Sequence, residues 1–183
     1  MFRGYGRLVQ AVKSKKDLPS ADDPNDCVDE GTVAKVRGTS RVDAKRLGPF
    51  LEMMAKQLPE FDRIGSANLK RVADAGIPIA MGTDAGNPLT LHGPSVYAEM
   101  EAMQAAGMTP MQVLVASTRG GATAMGLGKE IGTVEKGKSA DLLVVGGDPT
   151  TDVANLRKVR YVVRGGVVRS IEELKATVAA AKD

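Results

Sequence analysis

The 183-residue chain carries 25 Lys and Arg against 22 Asp and Glu, a formal net charge of +3, with the basic residues scattered. So small and dispersed a charge argues against a nucleic-acid-binding surface, and 43% apolar residues mixed with both signs of charge exclude disorder. Aromatics are 3% and Trp is absent, so the core must be aliphatic and methionine-rich.

The N-terminal residues Met1 to Gly6 lack a basic stretch followed by an apolar one, so they do not read as a signal peptide. No apolar run approaches the roughly 20 residues needed to span a bilayer. The compartment therefore stays open, with the cytoplasm as the default. Lys13, Lys15 and Lys16 read as a solvated loop. Cys27 is the single cysteine, so it reads as an incidental thiol outside any disulfide. Residues 17–31, with Pro19, Pro24 and several Asp, read as an irregular excursion.

From Ser40 the pattern is helical. Val42, Leu47, Phe50, Leu51, Met54 and Leu58 recur at three- and four-residue steps, and Pro59 is expected to stop the helix. A second helix is expected from Ser66, as its N-cap, to Ala75, with Gly76 ending it in a left-handed conformation. Ile77-Pro78-Ile79-Ala80-Met81 is a continuous apolar run and predicts a strand buried on both faces. It opens into the loop Gly82-Thr83-Asp84-Ala85-Gly86-Asn87-Pro88.

A helix is predicted from Pro94, with Val96, Tyr97, Met100 and Met103 on one face, ending at Gly107. Thr109, Pro110 and Gln112 form a capping box that starts another, reaching about Thr118 with a further turn at 122–125. Arg119-Gly120-Gly121 marks a bend or break. After Gly126 the texture turns to β: runs at 131–134, 141–145 and 159–168 are predicted, with Gly165-Gly166 as a hairpin turn. A last helix begins at Ser170, with Glu173 as its capping-box partner. The methionines read as core filler.

Asp84 follows the C-terminal end of the apolar run 77–81. In a βα barrel that end carries the chemistry, and a carboxylate there can ligate a divalent metal or move a proton. The competing reading is an ordinary loop aspartate making a turn or cap. His92 lies eight residues further on, ahead of the helix at Pro94. It is read either as a substrate contact at the barrel mouth or as a surface histidine. Gly4-Tyr5-Gly6 and Gly126-Leu127-Gly128 lack the context of a dinucleotide site, so a redox or nucleotide-binding domain finds no phosphate loop.

The ordered series of motifs is more specific. Gly76-Ile77-Pro78-Ile79-Ala80-Met81-Gly82-Thr83-Asp84, the stretch from Met111 to Gly126, and Ile131-Gly132-Thr133-Val134-Glu135-Lys136-Gly137-Lys138-Ser139-Ala140-Asp141-Leu142-Leu143-Val144-Val145 resemble the C-terminal part of the amidohydrolase superfamily. Asp148-Pro149 and Val162-Val163-Arg164-Gly165-Gly166 continue the likeness. The subgroup most resembled includes imidazolonepropionase-like hydrolases and metal-dependent Xaa-Pro dipeptidases.

The resemblance implies an α/β fold: the last strands and helices of a (β/α)8 TIM barrel over residues 1–126, then strands of a small composite β-sandwich and a C-terminal helix over 127–183. It implies hydrolysis of amide, cyclic amide or peptide-like C–N bonds of a small-molecule substrate, with one or two divalent metals, often Zn. Asp84 would be metal ligand and catalytic proton shuttle, and His92 a substrate contact. The family's His-x-His pair and its later histidines have no counterpart here, where His92 is the one histidine. Catalytic zinc takes three protein ligands. The chain is therefore expected to be a C-terminal segment, inactive alone and prone to self-association or to pairing with a missing N-terminal barrel half. The alternative is a non-catalytic assembly or barrel-completing subunit.

Overall fold

A computed structural model describes residues 2–16, 28–38, 44–86 and 89–180, with side chains at 8–16, 28–38, 48–86 and 89–180. Cys27 and Asn87-Pro88 lie outside the described residues. The chain forms two compact units. The first contains the N-terminal helices, most of the long third helix and the segment Thr83–Val96; the second contains Leu69–Gly82 and the chain from Tyr97 onward.

In the first unit, α1 (Phe2–Ser14) is a helix the sequence reading did not anticipate. Leu8, Val9 and Val12 fall on one face, one turn apart, and bury against Leu51 with Met54, Ala55 and Leu89 around them. Lys13 belongs to the last turn of this helix, and Lys13, Lys15 and Lys16 are solvent-exposed. α2 (Glu30–Arg37) begins within what reads as a loop. Its N-cap Asp29 accepts from Thr32 N at 2.9 Å, and its Val36 packs with Ala11 against Leu89 and Leu91.

α3 (Ala44–Asp74) is one continuous helix of 31 residues where two were expected. Pro49 and Pro59 lie inside it, and Ser66 is an interior residue instead of a cap. A proline removes its own N–H and crowds the carbonyl four residues back, but tertiary burial can outweigh that. Leu51 and Leu58, two turns apart and both ahead of Pro59, are buried, and Leu69 and Ala73 beyond it pack against buried side chains. Just beyond Pro59, Arg63 grips Glu60 through two hydrogen bonds of 2.6 and 2.8 Å.

In the second unit, the aliphatic core is Met100, Met103, Met108, Val113, Ala116 and Val153, ringed by Leu69, Ala73, Ile79, Met81, Tyr97 and Leu156. Three of its six buried members are methionines, as the composition suggests. Met111 and Met125, by contrast, are exposed. α4 (Pro94–Ala105) ends near Gly107 at φ +101°, and α5 (Pro110–Val115) starts in the expected capping box. The helix then widens into a π-turn, Ala116–Gly120, before α6 (Gly121–Ala124). A bend or break was expected at Arg119-Gly120-Gly121; the backbone instead stays helical through Gly120 and Gly121, with the wider π hydrogen-bonding there.

β1 (Leu142–Val145), β2 (Val159–Arg164) and β3 (Val167–Ser170) form an antiparallel sheet in that order. Leu142 pairs with Val163, and Val163 with Val168; a bulge falls between Val144 and Val145. Gly165 and Gly166 make the hairpin turn with φ of +55° and +82°, the positive values a primed turn requires. Asp141 clamps the turn by accepting from Gly165 N at 2.7 Å. Ser170 and Glu173 reciprocally cap α7 (Ile171–Ala180).

Two β expectations fail. Residues 131–133 are bends and Val134 joins no strand: Ile131 N donates to Leu127 O, Gly132 has φ +96° and Val134 is 83% exposed. Residues 77–81 are extended but join no ladder, and only one face is covered. Ile79 and Met81 pack on the core while Pro78 and Ala80 are exposed. A strand is defined by its neighbours, and among the described residues this segment has none. The mixed helix and sheet content agrees with the α/β expectation.

Candidate functional site

The route to Asp84 begins where α3 ends. Gly76 (φ +69°) donates to Ala73 O and Ile77 donates to Val72 O, the paired bonds of a Schellman closure. The chain then runs extended through residues 77–82. Met81 N donates to Ala116 O at 3.0 Å, at the start of the π-turn. At the other end of that turn, Gly120 lies so near Ile79 that an added Cβ would fall 2.2 Å from the Ile79 carbonyl oxygen. A π-turn with glycine at its end thus lets helical backbone and extended backbone approach more closely than a side chain would allow.

Asp84 follows in the segment Thr83–Val96 of the first unit. It is exposed and holds φ +52°, a left-handed conformation that aspartate tolerates better than bulky residues do. Two residues on, Gly86 N donates to Thr90 O at 3.0 Å, and Thr90 is 6% exposed, which anchors the returning chain. His92 is also exposed, just before Gly93 at φ +86°. Both predicted site residues therefore lie on one solvent-accessible segment of one unit.

The remaining carboxylates near the C-terminal turns are occupied locally. Asp148 accepts from Thr150 N and Oγ1 at 2.8 and 2.6 Å, which holds its carboxyl below the ordinary value of 3.8. Asp152 caps the 3-10 turn Val153–Arg157 through Ala154 N. Glu101 is engaged by Arg157.

A metal site can be tested against this donor set. Among the described residues, no group of three His, Cys, Asp or Glu side chains gathers to hold an ion. Asp84 can offer one carboxylate. The residues present therefore do not fit a complete catalytic metal centre. What the arrangement offers chemically is an accessible carboxylate at the end of an apolar extended segment, with an imidazole on the same loop. Sequence reasoning missed the positioning residues, Gly120 above all. The only local signal for it was the glycine pair inside a helical pattern.

Comparison with known proteins is consistent with this architecture. The profile of the Amidohydrolase family matches residues 40–169. The chain belongs to the amidohydrolase family. Imidazolonepropionase from Shouchella clausii is 38% identical over 96 residues, covering 52% of this chain and 20% of that protein. The structure of molinate hydrolase aligns with a TM-score of 0.53 at 32% identity, over 58% of this chain and 26% of the other. A Xaa-Pro dipeptidase shares the fold with a TM-score of 0.52 at 20% identity, over 91% of this chain and 33% of its own. The chain thus spans about a fifth of the length of curated relatives it matches. No helix among the described residues is long and apolar enough to cross a membrane.

Proposed function

We propose that this chain is the Asp84-bearing portion of an amidohydrolase that cleaves C–N bonds of small amides, cyclic amides or peptide-like substrates. The observation that carries the reading is the family match across residues 40–169, which contains the extended segment and Asp84 together. Hydrolysis of a C–N bond needs a base to take a proton from the attacking water and an acid to return it to the departing nitrogen. One accessible carboxylate can do both in turn. Asp84 is assigned that role and one ligand position for a divalent ion, zinc being the leading choice. His92, exposed on the same segment, is assigned to substrate contact. Residues 1–126 are assigned to the barrel portion and 127–183 to the sandwich strands.

The ligand shortage among the described residues makes a second point. Further metal ligands have to come from additional polypeptide, so the 183 residues alone are inactive. The test is hydrolysis of imidazolone propionate and of Xaa-Pro dipeptides with Zn²⁺. The chain is assayed alone, and then co-folded with the N-terminal part of the Shouchella clausii enzyme. No turnover alone, turnover when combined, and its loss in Asp84→Asn are expected. Robust metal-dependent turnover by the chain alone would overturn the incompleteness, and full activity of Asp84→Asn would overturn its role.

A further inference from the structure

Asp84 and His92 are exposed on the Thr83–Val96 segment, and between them three consecutive residues turn inward. Leu89 packs against the cluster of Leu8, Val9, Val12 and Leu51. With Leu91 it also packs against Ala11 and Val36. Thr90, between the two leucines, is 6% exposed, and its carbonyl accepts from Gly86 N at 3.0 Å. All of these residues belong to the first unit.

Leu89 also holds φ +60°. A bulky side chain rarely enters this left-handed region, because its Cβ crowds the following carbonyl. Such a conformation persists only where the surroundings over-determine it. Here they do: α1 supplies Leu8, Val9, Ala11 and Val12, α2 supplies Val36, and α3 supplies Leu51. Gly or Asn would take the same φ at less cost. Neither would fill the apolar seat.

We infer that Leu89 is a positioning residue for the candidate site: with Thr90 and Leu91 it seats the segment on α1, α2 and α3, and so orders the backbone on which Asp84 and His92 stand. The link to Asp84 is the Gly86–Thr90 hydrogen bond, which ties the chain two residues past Asp84 to the residue beside Leu89. His92 follows Leu91 directly. The helices α1 and α2 thus contribute footing to the site without supplying a reacting group. That Asp84 and His92 form a site rests on the function proposed above. The seating itself is measured on this chain without turnover, so either can fail alone.

The experiment is amide hydrogen exchange and backbone chemical shifts by NMR on the 183-residue chain. In the native chain the Gly86 N–H should be protected, and Asp84 and His92 should each give one set of shifts displaced from coil values. Leu89→Ala should speed exchange at Gly86 at least about tenfold and move both sets toward coil values. Leu58 inside α3, and Gly146, whose N donates to Lys158 O at 2.7 Å, should keep their protection. Leu89→Met, which keeps the apolar bulk, should stay near native. General destabilisation would instead speed all three amides together. Val36→Ala trims the seat from α2 and should accelerate Gly86 in the same local way, which decides the matter if Leu89→Ala unfolds. An unprotected Gly86 in the native chain overturns the proposal. So does Gly86 exchange unchanged in a folded Leu89→Ala or, should that unfold, in Val36→Ala, and so does acceleration shared equally by Leu58 and Gly146. Full activity of Asp84→Asn in the co-folded enzyme would remove the site assignment and leave the seating intact.

Discussion

Gly120 and Ile79 meet so closely that a Cβ on Gly120 would lie 2.2 Å from the Ile79 carbonyl oxygen. That contact sets how closely residues 77–82 pass the π-turn. Gly120→Ala should force the backbone at residue 79 away and destabilise the chain by about 1–3 kcal/mol, as other overpacked sites do. Urea unfolding measures it. A neighbouring control is Gly121→Ala, where a Cβ meets nothing within 4 Å. It should be neutral or slightly stabilising, and equal effects at the two positions would refute the account.

Glu101 on α4 and Arg157 in the 3-10 turn form a two-pronged pair, with Nε to Oε1 at 2.6 Å and Nη2 to Oε2 at 3.1 Å. The guanidinium also lies 5.3 Å from the centroid of the Tyr97 ring. With the two side chains 20% and 31% exposed, the pair is shielded enough to matter. Arg157→Ala should cost about 2 kcal/mol, since hydrogen bonds to charged groups are worth roughly that. Arg157→Lys should recover only part of it, because a point charge cannot reproduce the planar fork. Thermal unfolding of the two variants and of Glu101→Gln checks this ordering.

Acid should loosen the turn at Asp148. Its carboxylate accepts from the Thr150 hydroxyl and backbone N–H, which lowers its folded pKa below the ordinary value of 3.8. A depressed carboxyl stabilises the fold above its unfolded pKa and loses that contribution as pH falls through the folded value. Asp148→Asn should therefore flatten the acid limb of stability as pH falls below the ordinary carboxylate value. The measurement is the urea midpoint against pH. An acid limb as steep in the variant as in the native chain would remove Asp148 from the explanation.

The features legible in the sequence are those closed by neighbours along the chain. Thr109 with Gln112, and Ser170 with Glu173, make their reciprocal caps within a single turn. Gly76, Gly107, Gly165 and Gly166 take the positive φ that their places demanded. The site segment was legible as an ordered series of motifs, and the family match spans it.

Caps, turns and family membership were thus legible along the chain. Tertiary structure decided the rest, because the deciding energies come from partners distant in the chain. Pro59 did not end α3: Leu51 and Leu58 are buried ahead of it, and Leu69 and Ala73 pack on a core beyond it. α1 formed because Leu8, Val9 and Val12 found Leu51. Residues 131–133 bent instead of extending, with Gly132 held at positive φ against Ala122, where a Cβ would come within 2.6 Å of that side chain. The run 77–81 is a strand by composition but not by pairing, since a ladder needs a neighbour that the described residues do not supply.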